Sequence, residues 1–276
     1  EKILKKAETA DYSKIDKEDL KDIYKIAGEA GFLSGNYEKS LGYYKKIDKD
    51  EKISARIIIS SYKAKKYEDS VGEFEEYQNK YGFTGEYSRD VYIAAGNSLA
   101  ELEKYEQAKT VYSKYLDYKK DIIVENNLLY VLLEMKQYKE VIVAIDNMEK
   151  SEENTYIKAL AYIGSGNYEM AETVLKEIIE SKSSFAEKSY EKLGEMYLKV
   201  EKYGDALFLV DGYLKNESIK RENIFKMLDI QGRTFLKLNK YESAIESYSE
   251  MSKLDKYADY SKFMMGEISY NFKNYD

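Results

Sequence analysis

The 276-residue chain has no cysteine, no histidine, no proline and no tryptophan. Without cysteine there is no disulfide and no thiolate nucleophile or ligand, so the redox state of its compartment leaves no mark on the composition. Without histidine, Ser–His–Asp and Cys–His arrangements and nearly all zinc sites are excluded. Proline at its average frequency of about 5% would occur roughly 14 times; its absence, beside abundant Lys, Ile, Asn and Tyr, is as well explained by an AT-rich genome as by selection. Long apolar runs are also missing. The richest, residues 127–133 (NLLYVLL), falls far short of the roughly 20 residues of a membrane-spanning helix. Neither charge dominates: 51 acidic and 44 basic residues are interspersed along the chain for a net charge of −7, which argues against a nucleic-acid backbone as partner. The chain starts on Glu1 rather than Met and shows no targeting signal, as expected after removal of a leader or excision from a longer protein.

What is present is a repeat. Words of the form small/polar–x–Tyr–x–x–small recur around Tyr37, Tyr67, Tyr105, Tyr138, Tyr168, Tyr203, Tyr241 and Tyr275, with a mean spacing of 34 residues. Nine residues before these anchors stands a small residue in most copies: Gly28, Gly96, Ala159, Gly194, Gly232 and Gly266. Seven residues after them stands a bulky one, such as Tyr44, Phe74, Tyr112, Leu175 or Tyr248. Two antiparallel helices joined by a short turn approach closely where one offers Gly or Ala and the other a side chain to fill the space. Turn words such as SGN (residues 34–36) and GSGN (164–167) place Gly where a left-handed backbone is required. Two longer spacings imply polar insertions at residues 80–90 and 216–223.

A helix–turn–helix unit of 34 residues resembles the tetratricopeptide repeat. The clearest copy is residues 190–214, with Tyr190, Leu193, Gly194, Tyr197, Tyr203, Ala206 and Val210 in register. The usual Trp of the first helix is replaced by Tyr24, Tyr92 or Tyr190, and the Pro that usually ends the second never appears. The resemblance implies an all-α fold, a right-handed superhelical α-solenoid of about seven and a half repeats over residues 21–276. The repeats start near 21, 51, 89, 122, 152, 187, 225 and 259, the last incomplete. Residues 1–20 are expected to be a capping helix or the remnant of a preceding repeat. The chain stops one residue after Tyr275, and the apolar Phe263, Met264, Met265, Ile268 and Tyr270 suggest a cut rather than a natural cap.

Thirty tyrosines invite a stacking or carbohydrate function, but 19 of them occupy anchor or packing positions of the repeat and are expected in the core. Paired carboxylates such as Glu75/Glu76 and Glu152/Glu153 are the residue type of acid–base catalysis, yet on such polar helices they belong to a solvated face. No D-x-D-x-D-G calcium loop is present, and no catalytic residue, metal or cofactor is expected.

The resemblance further implies a concave groove lined by the first helices. Positions 15 to 4 before each anchor supply Tyr62, Asn97, Asn126, Asn127, Tyr130 and Tyr156 as its candidate peptide-binding residues. Asn pairs with a strand-like backbone of any sequence, and Tyr adds apolar area at low entropic cost. Further along, Lys188, Glu191, Glu195, Lys226, Asp229 and Arg233 make a face of mixed charge. The pattern of chaperone-binding members is not reproduced, since Lys25 is followed by Glu29. The expected function is a non-catalytic scaffold that binds a protein or extended peptide, without nucleic acid and without membrane insertion. The alternative is a glycan-binding or carboxylate-based enzymatic module using Tyr62, Tyr130 and Tyr156. Residues 86–116 also resemble bacterial cell-envelope tetratricopeptide proteins, which implies a periplasmic or envelope location, with the cytoplasm as alternative.

Overall fold

A computed structural model of the chain describes residues 1–215 and 221–272. Tyr275 and most of the expected insertion at 216–223 therefore lie outside the described residues. The described residues are helical, without strands, and fall into two compact units, Glu1–Gln137 and Tyr138–Asp276.

In the first unit, α1 (Lys2–Thr9) is followed by α2 (Lys17–Leu33), α3 (Tyr37–Tyr44), α4 (Glu51–Lys63), α5 (Tyr67–Tyr81), α6 (Ser88–Glu101), α7 (Tyr105–Tyr118) and α8 (Ile122–Glu134). In the second, α9 (Tyr138–Asp146) is followed by α10 (Glu152–Gly164), α11 (Tyr168–Glu180), α12 (Ala186–Lys199), α13 (Tyr203–Leu214), α14 (Arg221–Lys237), α15 (Tyr241–Ser252) and α16 (Ala258–Asn271). Paired helices pack on one another, as α2 on α3 and α10 on α11, and first helices of successive pairs also touch, α4 with α6 and α6 with α8. Every second helix from α3 to α15 begins on its anchor tyrosine.

The turns between paired helices share one construction. The residue two before each anchor is left-handed: Gly35, Lys65, Glu103, Lys136, Gly166, Glu201 and Asn239 all have φ between 57° and 79°. The residue after it donates its N–H to a carbonyl five residues earlier, as Lys66 to Ser61, Lys104 to Leu99 and Lys202 to Tyr197, closing a Schellman cap. The sequence predicts glycine at these turns, but in five of the seven the cap holds a side-chain-bearing residue in the left-handed region, at about 1 kcal/mol each.

The small–large pairing is literal in three repeats. A Cβ added to Gly28, Gly96 or Gly232 would meet the ring of Tyr44, Tyr112 or Tyr248 at 2.7, 2.3 and 2.7 Å, and all three rings are fully buried. Gly194 departs from this pattern, because its free space is filled by Ile230 of the next first helix rather than by Val210.

The insertion at 80–90 is not merely polar. Helix α5 runs on to Tyr81, and Gly82, with φ 59°, turns the chain so that Phe83 folds back beneath α6. Its ring lies 4.9 Å from Tyr92 and is stacked 5.5 Å from Tyr118. The Glu51 carboxylate at the start of α4 accepts from the Tyr77 hydroxyl (2.9 Å) and the Tyr87 N–H (3.3 Å), tying the segment down.

In the second unit Glu172 of α11 gathers three donors: Lys176 at 2.7 Å, Lys202 at 2.9 Å and the Tyr197 hydroxyl at 2.9 Å. Burial alone would raise its carboxyl, but these hydrogen bonds outweigh that and hold it at about 2. Burial, and then the Glu172 contact, pushes the Tyr197 hydroxyl up to about 12. A carboxylate depressed on folding contributes stability above its unfolded value near 4.5, which is lost as pH falls toward 2. Both lysines are about half exposed, so solvent screens the contribution. Glu172→Gln is expected to cost about 1–2 kcal/mol at pH 7 and progressively less below pH 4.5, as read by urea unfolding at each pH. An equal cost at pH 7 and pH 2.5 would show that the charge of Glu172 is not what stabilises.

Candidate functional site

Five of the six residues singled out by register lie in the first unit. Asn97 on α6 and Asn127 and Tyr130 on α8 line a cleft of about 470 Å³ between these helices. Tyr62 on α4 and the same Asn97 line another, of about 380 Å³, between α4 and α6, with Phe32 of α2 at its end. Asn97 belongs to both, so the two clefts adjoin at α6.

Asn126 and Tyr156 are placed differently. Asn126 is 4% exposed, and Tyr156 is 6% exposed in the second unit, its ring 5.2 Å from Phe185. Both stand twelve residues before their anchor. A span of twelve residues makes more than three helical turns and therefore includes the face turned to the core. Helix α8 buries Val124, Asn126, Leu129 and Val131; α10 buries Asn154, Tyr156, Ala159 and Ala161 at the same steps. With Tyr156 in the core of the second unit, the tyrosine set required for stacking a sugar does not form one exposed surface.

The clefts are organised by tyrosines whose register positions are core positions. The Tyr112 ring is fully buried, but it passes over Gly96 and its hydroxyl donates to Asn97 Oδ1 at 2.6 Å. This leaves the Asn97 amide to the Tyr62 hydroxyl, while Asn127 also bonds the Tyr112 hydroxyl. Burial, followed by the neighbouring Tyr62, holds the Tyr112 hydroxyl well above its ordinary value, so it stays a donor. Tyr44 reaches Glu29 in the same way at 2.6 Å, and Tyr248 reaches Asp229 at 3.4 Å. The sequence signal is the glycine nine residues before the anchor paired with a tyrosine seven after it.

Charge is also placed by the scaffold. Arg56 of α4 donates to both oxygens of Glu29, at 2.9 and 3.3 Å, and its guanidinium lies 3.9 Å over the Phe32 ring. Burial works against the Glu29 charge, but the hydrogen bonds from Arg56 and Tyr44 more than offset it and hold the carboxyl below its ordinary value. Arg89 donates to Asp121 at 2.6 and 3.3 Å and to Asp90 at 3.2 Å. Asp121 also caps α8 by accepting from Ile123 and Val124 N–H, so Arg89 is held by a helix terminus. Lys63 completes this cleft, its ammonium 5.3 Å from the Tyr62 ring. The α6–α8 cleft carries the opposite sign, with Glu101, Glu103 and Glu134 on its rim.

In the second unit the mixed charges expected from the sequence are paired with one another. Arg233 donates to both oxygens of Glu195 (2.8 and 2.9 Å) and to Asp229 (3.2 Å), Lys226 bonds Glu191, and Lys188 lies 5.0 Å over the Phe185 ring. A cleft of about 350 Å³ lies over this network, but its charges are largely spent inside the protein.

Among the described residues no helix is long and apolar enough to cross a membrane, and no cluster of carboxylates could hold a metal ion. In sequence, the chain matches none of the curated proteins. In structure it is similar to a tetratricopeptide repeat protein from Parabacteroides merdae, at 12% identity and TM-score 0.67, covering 91% of this chain and 99% of that one. It is also similar to PilW, a type IV pilus biogenesis factor, at 13% identity and TM-score 0.59 over 79% of this chain and all of PilW. Human IFIT1, solved as a dimer with PPP-AAAA, shares 15% identity with a TM-score of 0.56 over 98% of this chain and 68% of its own. The family model of the tetratricopeptide repeat matches residues 90–122 and 155–185. With its consecutive helix pairs of the same construction on both sides of these matches, the chain carries tetratricopeptide repeats in an all-helical repeat fold.

Proposed function

We propose that the chain is a non-catalytic scaffold that holds an extended peptide segment of a partner protein on the first-helix face of residues 1–137. The observation that carries this reading is that the two clefts adjoin at Asn97, which lines both. They form a strip of amides, phenols and apolar side chains (Ile59 and Ile93 among them) running across three successive first helices. Such a strip offers hydrogen bonds to a main chain and apolar area to alternate side chains, as strand-like ligands require. The fold is one generally used for holding other proteins, but fold alone does not set function, and the reading rests on the clefts.

The test is selection of random dodecapeptides on the full chain, followed by affinity measurement with Asn127→Ala and Tyr130→Ala, both half-buried positions on the rim. Affinity is expected to fall about tenfold in each, with melting temperature changed little. Selected peptides that bind both variants as tightly as the parent would move the site off this face.

A further inference from the structure

We infer that the first-helix face of residues 1–137 reads the charge order of its peptide, taking a basic side chain in the α6–α8 cleft and an acidic one in the α4–α6 cleft. This rests on the peptide-binding reading above and adds direction and selectivity to it.

The α6–α8 cleft has two walls built alike. Glu101 and Glu134 both stand four residues before their anchors, on α6 and α8, with Glu103 beside them and the phenols of Tyr105 and Tyr130 between. Among the described residues none of the three carboxylates is in an ion pair with a lysine or arginine of the chain. A lysine or arginine side chain entering the cleft can lay its methylenes along the phenol rings and place its cation among the carboxylates. An acidic side chain there would meet three like charges.

The α4–α6 cleft is the complement. Arg56 is immobilised by its two bonds to Glu29 and by the Phe32 ring, so its remaining N–H groups are set in position before any ligand arrives. Lys63, on the same wall, pairs with no carboxylate among the described residues. Arg89 is different, since Asp121 and Asp90 already take its donors. The selective charge is therefore that of Lys63, with the N–H groups of Arg56 that Glu29 does not take as fixed donors beside it. Asn97 stands between the clefts, its oxygen occupied by Tyr112, which orients its amide nitrogen.

Neighbouring helices pack about 8–10 Å apart and an extended chain advances about 3.3 Å per residue. The two recognised side chains are thus about three residues apart. A peptide of uniform charge places one like-charge contact in either cleft, and such contacts discriminate more strongly than attractive ones. A nucleic-acid backbone, which the Arg56 cleft could attract, is opposed by the glutamates of the next one.

The experiment uses the full chain and libraries of otherwise uncharged dodecapeptides carrying two fixed residues three positions apart: Lys and Glu in either order, two Lys, or two Glu. One of the mixed orders is expected to bind about tenfold more tightly than either uniform set, with the preference weakening as salt rises. Glu101 and Glu134 are exposed, so the variant Glu101→Lys/Glu134→Lys should fold as the parent does and turn the preference toward two Glu. Lys63→Glu should shift it toward two Lys. Equal affinity for all four sets, or no change of preference in these variants, overturns the charge reading and leaves peptide binding standing. Failure of every set to bind overturns both.

Discussion

Gly96→Ala is expected to destabilise the first unit by about 3 kcal/mol, whereas Gly72→Ala is expected to stabilise it by up to about 1 kcal/mol. The two substitutions are chemically identical and both fall inside helices, so propensity favours alanine in each. Their surroundings decide the sign. A Cβ on Gly72 meets nothing within 4 Å, but one on Gly96 would lie 2.3 and 2.4 Å from two atoms of the Tyr112 ring. That ring is fully buried and its hydroxyl is bound to Asn97, so it has no free volume to turn into. Urea unfolding followed by circular dichroism measures both changes. The double variant Gly96→Ala/Tyr112→Leu should recover much of the loss, because Ala159 and Leu175 form the same pair in the fifth repeat, both fully buried. An unchanged unfolding midpoint for Gly96→Ala would mean that the ring can yield and that the close approach is incidental.

Tyr92→Ala should cost more, about 4 kcal/mol. Tyr92 is fully buried at the centre of an aromatic group drawn from three helices and the inserted segment. Ring centroids lie at 4.9 Å from Phe74, 4.9 Å from Phe83 and 5.5 Å from Tyr115. Truncation opens a cavity that none of these rings can fill without leaving its other partners. Tyr92→Phe removes only the bond accepted from Gln78 at 3.2 Å and should cost about 1 kcal/mol. The alanine variant should also release the 82–87 segment, seen as faster amide exchange there than in α2 and α3. If the two variants prove equally mild, the aromatic group does not hold the insertion in place.

The anchor tyrosines are legible in the sequence because one packing problem recurs and is solved with the same residue types each time. Each second helix from α3 to α15 starts on one of them. The turns are less legible. A Schellman cap satisfies the backbone whatever the side chain, so Lys65, Glu103, Lys136 and Glu201 leave no glycine to find. The insertion at 80–90 reads as polar because its apolar contribution beneath α6, Phe83, has partners distant in sequence.

At the candidate site, register locates Tyr62, Asn97, Asn127 and Tyr130 but does not separate them from the buried Asn126 and Tyr156. Which side of a helix a position occupies depends on how that helix rolls on its neighbours. Arg56, Arg89, Glu101 and Glu134 do not stand out in a chain where a third of all residues are charged. Tyr44, Tyr112 and Tyr248 are core residues as their register predicts, but the reach of their hydroxyls emerges only once the opposing glycine is in place.

The contact between the small residue and the ring sixteen positions later also bears on how this chain can drift over generations. Neither partner can change alone without a clash or a void, so substitutions there should be inherited in pairs. The chain already displays two such combinations: Gly28 with Tyr44, and Ala159 with Leu175. Different repeats of this chain thus hold different combinations, while the left-handed turn positions beside them are filled by Gly, Lys, Glu or Asn.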